Sequence, residues 1–300
     1  MKRLSVERKR ARKRWTAFDF VNCALLLLFA LICLYPFYYL IIYSLSNSTE
    51  AARHGMWLLP KGFTIENYAY LFRKSEIINA TLISAGRAVI GTAITLFCSS
   101  LYAYVLSKPQ LPFRRIMYRM LVLTMYINAG LIPYFIVMKS YNLNNSFLLY
   151  ILPSAIAPFH VILIKTYVEQ LPPALEEAAR IDGAGYFTCY WRIIMPVCLP
   201  VLATVAIFSA VNQWNSWQDN FYLVRDRNLK TLQLLLLEYL QSMDSTIISD
   251  INIAAQKANQ TSSLSLKACI SVLTMLPIML VYPFMQRYFI KGIMIGSIKG

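Results

Sequence analysis

Acidic residues and histidines are scarce in this 300-residue chain: 14 Asp and Glu stand against 29 Lys and Arg, with two histidines. His54 and His160 lie far apart, and no C-x-x-C pair occurs among Cys23, Cys33, Cys98, Cys189, Cys198 and Cys269. A zinc site or a disulfide frame therefore has nothing to start from, and the cysteines read as small packing residues. Also missing are the phosphate-cradling G-x-x-x-x-G-K, the zinc-protease H-E-x-x-H and the nucleophile elbow G-x-S-x-G. Energy for any work this chain does has to come from a partner.

Apolar residues fill the space. They make up 58% of the chain, charged residues 14%, and the mean hydropathy is +0.50. An ordinary soluble domain does not carry apolar runs of the length found here. The net charge of +15 could suggest a nucleic-acid partner, but many of the cations cluster at the ends of apolar runs. That is the pattern of a membrane protein obeying the positive-inside rule, with no nucleic acid involved.

Residues 1–20 form a basic amino-terminal segment, with eight cations and one acid, Glu7, in the first fifteen positions. It reads as a cytoplasmic anchor near anionic lipid. The run 21–43 is longer than a signal-peptide core and is long enough to cross a bilayer, with Pro36 as an expected kink. Five more spans are expected, at about 80–106, 116–138, 147–167, 197–213 and 268–289. With the amino end inside, six spans put the carboxyl end inside too. The inner segments then hold 18 of the 29 Lys and Arg. Outside, residues 44–79 contain Trp57 and a short interfacial helix within 63–72. Residues 218–265 contain a helix at 231–240, too short to span, followed by a polar piece at 242–263 expected to be mobile.

Three places carry candidate function. Arg87 is the one basic residue well inside an expected span, which marks a pathway group or a structural pair, or else a side chain that snorkels to the surface. The segment Asn212-Gln213-Trp214-Asn215-Ser216-Trp217-Gln218 offers amide forks for hydroxyl pairs and aromatic faces for sugar rings. The alternative is an interfacial aromatic belt with capping amides. Asn128 and Tyr134, near Gly130 and Pro133, suggest a bent helix lining a cavity, or for Asn128 a hydrogen bond between helices.

The stretch 171–196 is the most informative. Pro172 and Pro173 can open a helix, Glu176 and Glu177 suit its first turn, and Ala178 and Ala179 extend it with little bulk. Gly183 breaks it, and a second short helix can run toward Pro196. The Ala pair would let another protein approach closely. Glu177-Ala178-Ala179, three residues, Gly183, nine residues, Ile193, one residue, Met195-Pro196 resembles the EAA loop of ABC importer permeases, whose pattern differs only in having Leu where Met195 stands. The carboxyl-terminal stretch 282–300 looks like the sugar branch of these permeases, related to the maltose importer's smaller membrane subunit. Residues 128–134 and 212–219 resemble the oligosaccharide permeases of Gram-positive bacteria and the alginate importer.

This resemblance implies an all-α integral membrane protein with six transmembrane helices in a type I ABC importer permease fold over residues 21–300, in a bacterial cytoplasmic membrane. It implies a homologous second permease subunit, two ATPase subunits carrying ATP and Mg, an extracytoplasmic solute-binding protein and an oligosaccharide substrate, with no cofactor and no catalytic site on this chain. The coupling residues would be Glu177, Ala178, Ala179, Asp182, Gly183, Ile193 and Pro196. The tail 290–300 would reach toward the ATPases, and 218–265 toward the binding protein. A permease of the same architecture for a polyol, glycerol phosphate or peptide is the nearest alternative. A secondary transporter would be expected to carry acids within its spans, and none of the fourteen lies mid-span.

Overall fold

The computed structural model describes residues 16–47, 58–241 and 264–283. The basic cluster in residues 1–15, Trp57, the polar piece 242–263 and the tail 290–300 lie outside the described residues. Those residues form helices joined by short turns, with one isolated bridge, Ser46 to Phe63, in place of any sheet.

In chain order, α1 spans Ala17–Ser44, α2 Glu66–Phe72, α3 Ser75–Ser107, α4 Arg114–Tyr126 and α5 Leu131–Ser140. Two 3-10 turns at Phe147–Tyr150 and Leu152–Ser154 lead into α6, Pro158–Val168. Then come α7 at Ala174–Ile181, α8 at Tyr186–Val197, α9 at Leu199–Asn215, α10 at Gln218–Leu223, α11 at Leu232–Gln241 and α12 at Leu264–Pro283. Three of these, α1, α3 and α12, are long and apolar enough to cross a membrane singly, and two bent pairs raise the number to five. The α1 helix continues unbroken through Pro36.

The central strut is α3. Its 33 residues reach about 50 Å at the helical rise, more than the roughly 30 Å hydrocarbon core. Ala80, Ser84, Arg87, Gly91, Thr95, Ser99 and Ala103, spaced three or four residues apart, make one buried stripe. Small side chains along that stripe let α6 and α9 lie close against it. A Cβ at Gly91 would sit 2.6 Å from the side-chain amide nitrogen of Gln213 on α9 and would displace that side chain. Toward the carboxyl end of α3, Tyr104, Leu106, Val161, Ile164, Tyr190 and Val205 form one core. Toward its amino end, Leu71, Ile77, Trp214, Leu232 and Ile270 form another.

Two spans expected as single helices are broken. The span at 147–167 bends by 44° between its 3-10 turns and α6. Hydroxyls on α3 satisfy the backbone freed there: Thr95 donates to the Ser154 carbonyl at 2.9 Å, and Ser99 accepts from the Ala157 N–H at 3.3 Å. The span at 116–138 breaks into α4 and α5 across residues 127–130. Gly130 takes φ +82, and the Asn128 side chain accepts its N–H at 2.9 Å. Leucine or valine at 130 would be strained at that angle. The segment before α9 turns more sharply still, with α8 lying at 83° to α9. Pro196 and Pro200 flank the break, and neither can donate a helical hydrogen bond.

Candidate functional site

Among the described residues, polar groups gather near both ends of α3. Near its carboxyl end, Pro172 and Pro173 precede α7, and Glu176 and Glu177 occupy its first turn. The two acids part company. Glu176 turns inward, where it accepts from the Tyr104 hydroxyl at 2.9 Å and pairs with Lys108. The Lys108 ammonium stands 3.9 Å from the centre of the Tyr104 ring, a cation–π contact that fixes both. Glu177 is exposed.

The end of α7 is a Schellman turn. The Ala184 N–H donates to the Ala179 carbonyl at 2.9 Å and the Gly183 N–H to Arg180 at 3.1 Å, with Gly183 at φ +86. Asp182 caps the helix and is exposed. The expectation that both alanines face a partner needs correcting: Ala178 is exposed, but Ala179 is buried against the chain's own α8. Consecutive helical residues point about 100° apart, so one of the pair has to turn away.

After the turn, α8 contains a π-helical stretch, Cys189–Ile194. Tyr190, buried within it, shares a 2.8 Å hydrogen bond with Ser100 and lies 5.5 Å, ring to ring, from Tyr104. Ile193 is half-buried, while Pro196 is exposed. The α7–α8 knob is thus fastened to α3 by Glu176 and Tyr190 together.

Nearer the amino end of α3, Arg87 does not snorkel. Its side chain is 4% exposed and bonded on every side. Nε donates to the side-chain Oε1 of Gln213 at 2.9 Å, and Nη1 donates to Ser216 O at 3.3 Å and to Asp219 at 3.0 Å. Nη2 pairs with the other Asp219 oxygen, and the guanidinium sits 4.6 Å from the Tyr150 ring centre. Surfacing would forfeit a bidentate ion pair and leave Asp219 largely buried without its partner.

Asp219 also forms part of the wall of a cavity of about 350 Å³. Asn128, Gly130 and Tyr134 line one side of it, and Ser216, Gln218 and Tyr222 line the other. Asn128, Tyr134 and Gln218 thus line one cavity. The other amides and tryptophans behave differently. Gln213 is buried behind the wall, holding Arg87 and donating to Ser154 at 2.6 Å. Trp214 is core: it is buried and its indole N–H donates to the Thr274 carbonyl at 2.8 Å. Asn212 and Asn215 are exposed away from this cavity, and Trp217 packs edge-on against Phe221. A helix cannot aim residues 212, 213, 214 and 215 at one space, because each turns about 100° from the last. Asp219, Ser216 and Tyr222 were not among the expected site residues. Asp219 lies beyond the expected fifth span, where an acid next to tryptophans was the available signal.

The model of the binding-protein-dependent transport system inner membrane component family matches residues 96–217, from the middle of α3 to Trp217. The polygalacturonan/rhamnogalacturonan transport system permease protein YtcP of Bacillus subtilis (strain 168) is 35% identical over 285 residues, covering 94% of this chain and 98% of that protein. The arabinooligosaccharides transport system permease protein AraQ of Halalkalibacterium halodurans is 29% identical over 280 residues, 90% and 93% of the two chains. Among solved structures, the chain is similar to one from the crystal structure of a bacterial ABC transporter involved in the import of the acidic polysaccharide alginate. The TM-score is 0.82 at 29% identity, over 91% of this chain and 96% of that one. Long apolar helices built round a polar-lined strut, and a relative matched over nearly its full length, lead to one conclusion: this chain is a permease that belongs to the binding-protein-dependent transport system inner membrane component family.

Proposed function

We propose that this chain is one of the two permease subunits of an ATP-driven importer for oligosaccharides. Residues 21–300 form its membrane domain, in six spans, with both termini in the cytoplasm. ATP and Mg are handled by two ATPase subunits, and an extracytoplasmic binding protein delivers the sugar. This chain has no catalytic site of its own. The α7–α8 knob enters the ATPase surface through Glu177, Ala178, Asp182 and Gly183, with Ala179, Ile193 and Pro196 shaping it from behind. The cavity of Asn128, Tyr134, Gln218 and Asp219 is this subunit's share of the sugar pathway, with Arg87 and Gln213 supporting it from within the helix packing.

The observation that carries this reading is the division of labour between adjacent acids: Glu176 is bound to α3, while Glu177 is left for a partner. Closure of the ATPases would pull the knob, and the knob would pull the strut that holds Arg87. A rigid-body shift of this kind is an ordinary way to reopen a pathway on the other side. The test is the ATPase rate of the reconstituted importer with candidate oligosaccharides and their binding protein. Wild type is expected to be stimulated by one sugar and Glu177→Lys to lose that stimulation while still inserting. Equal stimulation of the variant would remove the docking role, and stimulation by a non-sugar solute alone would move the substrate elsewhere.

A further inference from the structure

A second cavity, of about 250 Å³, adjoins the first. Tyr222 and Leu223 line both, so the two spaces share a wall. The chemistry changes across that wall. Lys139 from the last turn of α5 and Arg225 after α10 both face the second cavity, together with Phe135 and Asn144. Both cations are exposed, and among the described residues neither side chain has an ion-pair or hydrogen-bond partner. Lys108, Arg114, Lys165 and Lys230 are each paired with a carboxylate, while Arg73, Arg115, Arg119, Arg192 and Arg227 are exposed without an ion pair among the described residues; what sets Lys139 and Arg225 apart is that they line one cavity together.

The frame round these two cations is fixed. Asn145, at φ +53, accepts the backbone N–H groups of Arg225 at 2.6 Å and of Asp226 at 3.2 Å, and its own N–H donates to Leu223 O at 3.3 Å. The nearby acid, Asp226, accepts from the Asn228 N–H at 2.9 Å. Two free cations on a clamped frame, flanked by aromatic rings, are suited to a carboxylate carried on a sugar ring: the cations take the charge and the rings take the apolar sugar face.

We propose that the Lys139–Arg225 cavity is a subsite for a uronate unit, making this permease a carrier of acidic oligosaccharides. The assignment rests on the oligosaccharide reading above and narrows its substrate class. The inner cavity is compatible with it. Asp219 would repel a passing carboxylate if it stood alone, but Arg87 directly behind it cancels its charge. A positive mouth leading to a neutralised interior concentrates an anionic substrate without trapping it further in.

The test uses the assembled importer in nanodiscs, with a saturating supply of binding protein. Uptake-linked ATPase activity is compared for an oligogalacturonate and for the same oligomer with its carboxyl groups reduced to alcohols. In Lys139→Gln/Arg225→Gln the half-saturating concentration of the acidic oligomer is expected to rise by about tenfold or more, as loss of charge-assisted hydrogen bonds would produce. The value for the reduced oligomer should stay within about twofold, and Lys139→Arg/Arg225→Lys should restore the acidic one. Equal shifts for both oligomers, or none for the acidic one, would overturn the subsite. So would loss of affinity for sugar-free binding protein, because the cations would then be reading that protein's carboxylates. A wild-type importer that moves only the reduced oligomer also overturns the subsite but leaves the oligosaccharide reading standing. Failure with every oligosaccharide would bring down the oligosaccharide reading itself.

Discussion

Arg87 shows what one buried charge demands of its surroundings. With its side chain 4% exposed and that of Asp219 12%, the two charges are out of bulk water and depend on each other. Removing one partner of such a pair typically costs about 3–5 kcal/mol, because the other charge stays buried without compensation. Asp219→Asn should therefore lower the melting temperature of the detergent-purified complex more than the double change Arg87→Met/Asp219→Leu does. If the double variant is the less stable, the pair is not the group that fixes this region. The importance of Arg87 was legible in the sequence, since a lone cation in an apolar run attracts notice. Its partner was not, because Asp219 lies 132 positions away and beyond the expected span. Trp214 is the opposite case: the amides and aromatics around it are legible in the sequence, but the helical phase that turns its ring into the core is not.

At the scale of elements, the work falls to α3. From Arg87 to Tyr104 is about 25 Å of continuous helix, and its side chains hydrogen-bond in both polar centres. Glu176→Ala would cut the knob's hydrogen bond to Tyr104 and its pairing with Lys108 while leaving Glu177 in place. Uptake per ATP hydrolysed is expected to fall several-fold, with the basal ATPase rate of the assembled complex held near wild type. A parallel loss of both rates would instead mean that the complex no longer assembles. The positions of α2, α9 and α11 could be read from hydrophobic runs and their ends. The break at 155–157 could not be read from hydropathy, since it depends on hydroxyls of α3 that come close only after folding, whereas the break at 127–130 rests on Gly130 and the Asn128 side chain, within the bend expected near Pro133. Pro153, Pro158 and Gly130 were the local hints.

At the scale of the molecule, orientation remains a proposal that one measurement can check. In a cysteine-free background, a single cysteine at Gln110, between α3 and α4, should react with an impermeant maleimide only after the cells are opened. One at Asn144, after α5, should react in intact cells. The reverse pattern would place the α7–α8 knob outside, where no ATPase could reach it. Composition alone made a membrane protein legible here, and the spacing from Glu177 to Pro196 made the family legible. Neither indicated that α1 would have so little of its surface covered: only 6% of its most apolar window is buried. That leaves most of the helix for lipid or for the second permease.

The long separation between Arg87 and Asp219 has a consequence for how the protein is made. A ribosome adding about 5–20 residues per second needs roughly 7–26 s to travel from one to the other. During that interval α3 holds an arginine with no acid to meet it, and a charge at the centre of an inserted helix costs about 2.5–3.5 kcal/mol. A nascent helix would lower that cost if the side chain reached for the headgroups. Snorkelling, one of the alternatives open from the sequence, would then serve the chain in transit, before the carboxylate that later captures Arg87 has been synthesised.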